Sequence, residues 1–141
     1  MLSQRGDVVA FRTKGLDGTF GTLNTLYVKR IVGLPGETIQ IDPPYVMVNG
    51  KRMTEPPIMR KIAQREDGFI GFALPPELKV GRVRLGTTND SLSLGPDEYM
   101  VLGDNGPNSL DSRFFGPVKR SAIVGKAWLI HAPTDRKTVI E

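Results

Sequence analysis

Short runs of β-forming residues, separated by glycine and proline, restrict the fold of this chain more than any other feature. The 141 residues include 16 glycines and 11 prolines, and the roughly 3.6-residue period of an amphipathic helix is nearly absent. Predicted strands lie at 8–12, 25–34, 38–41, 45–53, 82–85, 98–102 and 122–132. Asn49-Gly50, between alternating residues, predicts a β-hairpin. We therefore expect an all-β protein built from antiparallel strands.

Length and composition indicate a single domain over residues 1–141. A chain of 141 residues, 39% hydrophobic and 24% charged, can form one core but is short for two ordinary domains. The stretch 54–95 contains prolines and mixed charges without a clear period, so we expect a variable insertion of irregular structure there. No segment approaches the ~20 apolar residues of a membrane span, and the start MLSQRGD lacks a signal-peptide core. The residues as written should be soluble.

Several classes of site are disfavoured. With no cysteine, the chain cannot form disulfides, thiolate zinc sites or a cysteine nucleophile, and its one histidine, His131, ends an apolar run. The net charge of +4 is scattered among carboxylates, so we predict no nucleic-acid partner. A calcium loop starting at Asp104 would need glycine at its sixth position and glutamate at its twelfth, where Ser109 and Phe115 stand. We therefore predict neither a metal site nor a cofactor.

Lys29 occupies an unusual place in the strand-like run YVKRIVGLPGE, residues 27–37. Alternation puts Lys29 on the face of Tyr27 and Ile31, and puts Arg30 on the opposite face. Burial disfavours an ammonium, so we expect the pKa of Lys29 to fall from roughly 10.4 toward about 7–8, where the amine can accept a proton from a hydroxyl. The alternative is an edge-strand lysine that discourages aggregation.

A second polar cluster lies between two apolar runs, in VLGDNGPNSLDSRFFGPV, residues 101–118. Asx and serine side chains often cap backbone groups in loops, so this cluster could be purely structural. If the loop instead faces Lys29, the hydroxyl of Ser109 could hydrogen-bond the amine and orient it.

Together with VMVNGK and IVGKAWLI, these two stretches resemble the bacterial type I signal peptidases, which are serine proteases with a Ser/Lys dyad. The resemblance leaves out chiefly residues 54–95. It implies a fold of several coiled antiparallel sheets, with Lys29 as the general base and Ser109 as the residue that positions it. The residues that it implies as structural support of the site are Arg30, Asp104, Asn105, Asp111 and Arg113.

The resemblance also implies partners and a location. The substrates would be signal peptides of exported preproteins, cleaved after small residues. The full-length protein would be anchored in the cell membrane by an N-terminal segment, with its catalytic domain on the extracytoplasmic side. No cofactor is implied.

Two departures from the family pattern bear on activity. Positions 106–107 hold Gly-Pro where the family usually has Arg-Asp, so charge pairing in that loop is weakened. The family's nucleophile belongs to an SMxPTL element a few residues before the Gly-Asp that matches residues 6–7. Leu2 matches the end of that element, so the serine position falls before Met1, and Ser3 lies on the wrong side. We therefore expect residues 1–141 to be inactive by themselves.

Three functions remain open at this stage. The chain could be the catalytic part of a signal peptidase whose serine lies upstream, which is the interpretation we favour. It could be a homologue without a nucleophile that binds extended peptides by strand addition or acts as a scaffold. It could also be a self-cleaving regulator that uses another Ser/Lys pair.

Overall fold

The computed structural model describes residues 3–16, 24–75, 84–104 and 110–127. The strands in these ranges are β1 (Val8–Arg12), β2 (Leu26–Gly33), β3 (Thr38–Asp42), β4 (Tyr45–Val48), β5 (Lys51–Arg52), β6 (Leu92–Ser93), β7 (Glu98–Leu102), β8 (Val118–Lys119) and β9 (Ile123–Lys126). The α-helices are α1 (Pro57–Ala63) and α2 (Ser112–Phe115), and Glu66–Gly68 and Arg120–Ala122 form short 3-10 turns.

The strands form two antiparallel sheets. The larger sheet has the order β8-β7-β2-β1-β9, and the smaller one has the order β5-β4-β3-β6. The chain passes from β2 of the first sheet into β3 of the second through a turn that contains Gly36 at φ 83°. The predicted all-β fold is therefore confirmed, and β2 lies at the centre of the larger sheet.

The two faces of β2 pack into two different cores. Ile31 belongs to a cluster with Val9, Phe11 and Val101, and Tyr27 packs against the edge of that cluster. The other face contributes to a larger cluster that contains residues of both sheets and of α1. Members of the larger cluster include Val32, Ile39, Ile41, Val46, Met59, Ile62, Met100 and Leu102. The predicted alternation along β2 is therefore confirmed, because its side chains divide between the two cores.

Turn chemistry explains why the hairpin prediction is confirmed. Asn49 and Gly50 both have positive φ, 51° and 85°, and Val48 pairs with Lys51 on either side of them. A two-residue turn with positive φ at both positions matches the twist of the two strands that it joins.

Helix α1 was not predicted, because irregular structure was expected in this stretch. The helix begins at Pro57, and proline is favoured in the first helical turn because the amide it lacks would have no partner there. Met59, Ile62 and Ala63 are buried at helical spacing. Seven residues are too few for such a pattern to stand out in the sequence. A helix of this length is marginal by itself, so packing against the larger core stabilises it.

Other differences concern short elements. The strand predicted at 82–85 is wrong for Arg84 and Leu85, which lie in a bend, and residues 82–83 lie outside the described ranges. Strand β9 ends at Lys126, and the predicted continuation beyond residue 127 also lies outside them. Strands β6 and β8 have two residues each, too few for a periodic signal, and were not predicted.

Candidate active site

Lys29 lies in the middle of β2 and is almost completely buried, with 3% of its surface exposed. It pairs with Val9 of β1, and its Nζ lies 5.4 Å from the centroid of the Tyr27 ring. Strand β2 has β1 on one side and β7 on the other, so the edge-strand interpretation of this lysine is wrong. Burial destabilises an ammonium, whereas the face of an aromatic ring attracts one, so these two influences on Lys29 oppose each other.

Arg30 projects to the opposite face of β2 and joins three parts of the chain. Its Nε donates to Asp104 Oδ1 at 2.9 Å, and its Nη2 donates to Asp104 Oδ2 at 2.7 Å. Its Nη1 donates to the carbonyl oxygen of Gly6 at 2.7 Å. Arg30 therefore connects β2 to the residues after β7 through a bidentate contact with Asp104, a geometry that the planar fork of arginine provides. A single hydrogen bond to Gly6 connects it to the N-terminal segment.

Asp111 and Arg113 form a second ion pair, which is fully buried. Arg113 Nε donates to Asp111 Oδ1 and Arg113 Nη2 donates to Asp111 Oδ2, each at 2.8 Å. Asp111 also accepts the backbone amides of Gly103 at 3.0 Å and of Arg113 at 3.1 Å. The carboxylate thus caps α2 and fixes the end of β7 at the same time.

Further contacts join α2 to its surroundings. Ser112 Oγ accepts the amide of Val101 at 2.9 Å. Arg113 Nη1 donates to the carbonyl oxygen of Ala73 at 2.8 Å, and the Arg113 carbonyl accepts the amide of Arg84 at 2.7 Å. The predicted insertion 54–95 is therefore bonded to the polar loop through Ala73 and through Arg84. Residues 76–83, between these two contacts, lie outside the described ranges.

The loop that carries Ser109 is held at both of its ends. Asp104 is bonded to Arg30 at the first end, and Asp111 is bonded to Gly103 at the second. Ser109 and Asn105 themselves lie in residues 105–109, outside the described ranges. Arg30 pairs with Leu102, so the antiparallel register puts Lys29 opposite Gly103, where this loop begins.

An ion pair between Arg5 and Glu37 was not predicted. Arg5 Nη1 donates to Glu37 Oε1 at 2.7 Å, and Arg5 Nη2 donates to Glu37 Oε2 at 2.8 Å. Arg5 Nη1 also donates to the carbonyl oxygen of Val32 at 3.1 Å, and the Leu34 amide donates to Glu37 Oε1 at 2.8 Å. The two partners are 32 residues apart in sequence, so no local pattern could have revealed the contact.

The charge state of Glu37 follows from these contacts. Burial is the largest single influence and raises the pKa of Glu37. The hydrogen bond from Arg5, the amide of Leu34 and the positive charge of Arg5 together outweigh burial and lower the pKa of Glu37 below its ordinary value of 4.5. Glu37 is therefore held in the ionised form that pairs with Arg5.

The described ranges hold no group of three or more histidine or acidic side chains placed to bind a metal ion. Within the same ranges, none of the helices has the length and apolar character needed to cross a bilayer.

Comparison with known protein families identifies the family of this chain. The model of the family described as signal peptidase, peptidase S26, matches residues 2–132. The chain belongs to the peptidase S26 signal peptidases. The family resemblance carried by the lysine strand and the polar loop is therefore confirmed, and the family is one of serine endopeptidases.

Relatives of this signal peptidase family match most of the chain. A signal peptidase I of Leptolyngbya laminosa is 33% identical over 134 residues, which cover 94% of this chain and 55% of that protein. Signal peptidase I P of Bacillus subtilis subsp. natto is 34% identical over 136 residues, which cover 94% of this chain and 62% of that protein. The chain thus spans 55% and 62% of the lengths of these two relatives.

A solved structure gives the same assignment. The crystal structure of a signal peptidase I from Enterococcus faecalis V583 superposes with a TM-score of 0.54 at 28% identity, covering 89% of this chain and 97% of that one. The predicted signal-peptidase type of β fold is therefore confirmed.

Proposed function

We propose that residues 1–141 are the larger part of the catalytic domain of a signal peptidase I-like serine endopeptidase. Its substrates are signal peptides of exported preproteins, and the full-length protein acts at the cell membrane with this domain on the extracytoplasmic side. The observation that carries the proposal is the amine-bearing side chain of Lys29, 3% exposed in the central strand, opposite the start of the loop that contains Ser109.

In this proposal Lys29 is the general base. A neutral amine takes the proton of a serine hydroxyl as the oxygen attacks the scissile carbonyl carbon. The carbon–nitrogen bond then breaks, the proton passes from Lys29 to the leaving amine, and an acyl-enzyme ester remains. Water, activated by the same amine, hydrolyses the ester. The attacking serine belongs to the element that precedes residues 6–7 and whose last residue matches Leu2. Residues 1–141 alone are therefore expected to be inactive.

The remaining predicted site residues have supporting roles in the proposal. Ser109 hydrogen-bonds the Lys29 amine and orients it, and Asn105 belongs to the same loop. The Arg30–Asp104 contact holds the first end of this loop, and the Asp111–Arg113 pair holds the second. Two anchored ends limit the positions that the loop can adopt, which is what an oriented base requires.

A second candidate function is peptide binding without catalysis. Strand β9 lies at the edge of the larger sheet within the described ranges, and its Val124 is 59% exposed. An edge strand can receive an extended peptide by strand addition. Whether the full-length protein carries a serine before residues 6–7 separates this candidate from the peptidase.

The test compares cleavage of a signal-peptide substrate by the full-length protein and by residues 1–141. We expect product only from the full-length protein. Lys29→Met, which keeps the side-chain length but removes the amine, should lower its kcat by about 1,000-fold or more. Lys51→Met is the matched control, because Lys51 is an exposed strand lysine. Product from residues 1–141 that survives Ser3→Ala but is lost in Lys29→Met would contradict the proposed position of the nucleophile.

A further inference from the structure

Two residues of the motifs that resemble the family have no part in the proposed site. Asp7 belongs to the Gly-Asp at residues 6–7, and Lys126 belongs to IVGKAWLI. Their side chains form an ion pair, with 3.4 Å between Lys126 Nζ and Asp7 Oδ2, and have 24% and 22% of their surfaces exposed. Asp7 Oδ2 also accepts the Gln4 amide at 2.8 Å. The pair therefore connects the end of β9 to the residues before β1.

The register of the larger sheet puts this ion pair on the face that carries Lys29. Val9 of β1 pairs with Lys29 on one side and with Lys126 on the other. Residues that pair directly across antiparallel strands project to the same face, so Lys29 and Lys126 share a face and their backbones are about 10 Å apart, which is two strand spacings. The Ile31 amide donates to the Asp7 carbonyl at 2.7 Å, so Asp7 lies at the level of Ile31.

Asp7 is thus a diagonal neighbour of Lys29 across β1 and β2. Such neighbours have backbones about 7–8 Å apart, a distance that a long side chain can bridge. The Lys29 amine lies instead toward Tyr27, 5.4 Å from the centroid of its ring, whereas Asp7 is on the opposite side of Lys29 along β2. The amine therefore has an aromatic ring on one side and a carboxylate on the other, and a carboxylate favours the ammonium form more strongly than a ring does.

The other acidic groups near Lys29 are held more firmly. Within the described ranges, the charged and titratable side chains on the elements around Lys29 are Asp7, Tyr27, Arg30, Tyr99, Asp104, Asp111, Arg113, Arg120 and Lys126. Asp104 and Asp111 each make a bidentate contact with an arginine, at distances of 2.7 to 2.9 Å. The Asp7–Lys126 contact is a single one and is longer, so it is the ion pair that a substitution most easily opens.

We propose that Lys126 is a positioning residue that holds the Asp7 carboxylate in an ion pair and thereby keeps it from pairing with the Lys29 amine. This inference rests on the proposed function, in which that amine must be neutral to take a proton. Neither Lys126 nor Asp7 touches substrate in this account. A carboxylate released beside Lys29 would stabilise its ammonium form and raise the pKa of Lys29, and an ammonium has no lone pair with which to accept a proton.

The first test is a titration of residues 1–141 and needs no activity. NMR measures the pH at which the Lys29 amine loses its proton, and its signal is assigned as the one missing from Lys29→Met. In Lys126→Met we expect this midpoint to rise by about 1 pH unit or more, because the carboxylate is released and the like charge of Lys126 is gone. Lys126→Arg keeps a cation for Asp7 and should leave the midpoint unchanged.

A second substitution identifies the Asp7 carboxylate as the cause. Asparagine keeps an oxygen for the Gln4 amide but carries no charge. The midpoint should not rise in Asp7→Asn, and in Asp7→Asn/Lys126→Met it should return to that of the unsubstituted chain, since both charges are then absent. The matched control is Lys119→Met, which removes the same charge from an exposed lysine of β8, at the other edge of the larger sheet, and should leave the midpoint unchanged.

The second test follows cleavage of a signal-peptide substrate by the full-length protein as a function of pH. The rising limb of kcat/KM reports the loss of a proton from the base of the free enzyme. In Lys126→Met this limb should move to higher pH by the same amount as the Lys29 midpoint. At about pH 7, kcat/KM should then fall by roughly tenfold and should recover as the pH is raised. A purely structural loss would lower the whole profile without moving its limb.

The outcomes separate the two proposals. A Lys29 midpoint that rises in Lys126→Met and returns in the double variant, with a matching move of the pH profile, supports the positioning role. An unmoved midpoint in Lys126→Met overturns it, and so does a rise that persists in the double variant or leaves the pH profile in place. If the unsubstituted full-length protein cleaves nothing, the proposed function fails and the positioning role fails with it, whatever the midpoints are.

Discussion

At the scale of single residues, the carboxylate of Asp111 joins the end of β7 to the start of α2. It accepts four hydrogen bonds, two from the Arg113 side chain and two from the amides of Arg113 and Gly103. A buried ion pair is weak evidence for net stability, since its desolvation cost offsets much of the attraction. Removal of one charge, however, leaves the other charge buried and uncompensated.

We expect Asp111→Asn to lower the free energy of unfolding by about 3–5 kcal/mol, because the Arg113 guanidinium would remain buried without its carboxylate. Urea unfolding followed by circular dichroism measures this change. Asp67→Asn serves as the control and should leave the unfolding midpoint unchanged, because Asp67 is exposed. If Asp111→Asn lowered the free energy of unfolding no more than Asp67→Asn does, the structural role of Asp111 would be contradicted.

At the scale of the secondary-structure elements, the way β2 ends decides how the two sheets meet. Gly33 is the last residue of β2 and is buried where the chain leaves the larger sheet. A Cβ atom at this position would lie 2.9 Å from Ile39 Cγ1, from Leu94 Cδ1 and from Met100 Cβ. Glycine is therefore required by close packing between strands of both sheets, although its φ is not positive.

Gly33→Ala should lower the free energy of unfolding by about 1–3 kcal/mol, because the added methyl group must displace residues of a filled core. Gly125→Ala, in β9, is the matched control, since an added Cβ there meets no atom within 4 Å and the φ is not positive. Chemical unfolding of the two variants gives the comparison. Equal midpoints for Gly33→Ala and Gly125→Ala would show that the close packing at Gly33 relaxes without cost.

At the scale of the whole molecule, acid should weaken the contact between Arg5 and Glu37, which joins the segment before β1 to the turn between β2 and β3. The pKa of Glu37 is lowered in the folded protein, so its ionised form contributes stability above its ordinary pKa of 4.5. That contribution is lost as the pH falls from 4.5 through the folded pKa. Hydrogen bonds from the Gly86 and Thr87 amides lower the pKa of Asp90 as well, so other groups share this acid dependence.

The difference in unfolding free energy between the unsubstituted chain and Glu37→Gln isolates the contribution of Glu37 to the acid dependence of stability. We expect this difference to be largest near about pH 7 and to shrink as the pH falls below 4.5 and through the lowered pKa of the folded protein, because Glu37 is then protonated in both states. Urea unfolding at a series of pH values measures it. A difference that stays constant across this range would mean that the charge of Glu37 contributes nothing to the contact with Arg5.

The candidate site was predictable where it depends on local pattern. The alternation around Lys29 predicted both its face and that of Arg30, because successive strand side chains point to opposite sides. The roles of Lys29 and Ser109 were inferred first from the apolar neighbours of the lysine and the hydroxyl of the serine, and then from the family resemblance. The roles of their neighbours came from the resemblance, and all of these roles stay predictions. The pairing of Arg30 with Asp104 was not predicted, since residues 74 positions apart meet only after the sheet has formed.

The sequence by itself determined the β architecture, the hairpin at Asn49-Gly50 and the family, because turn chemistry, alternation and motif order are properties of neighbouring residues. Only the tertiary structure decided that β2 is central, that seven residues at Pro57–Ala63 form a helix, and that Arg5 meets Glu37. Those features depend on which distant surfaces pack together. Burial and ion pairing between distant residues act only once the chain has brought them within contact distance.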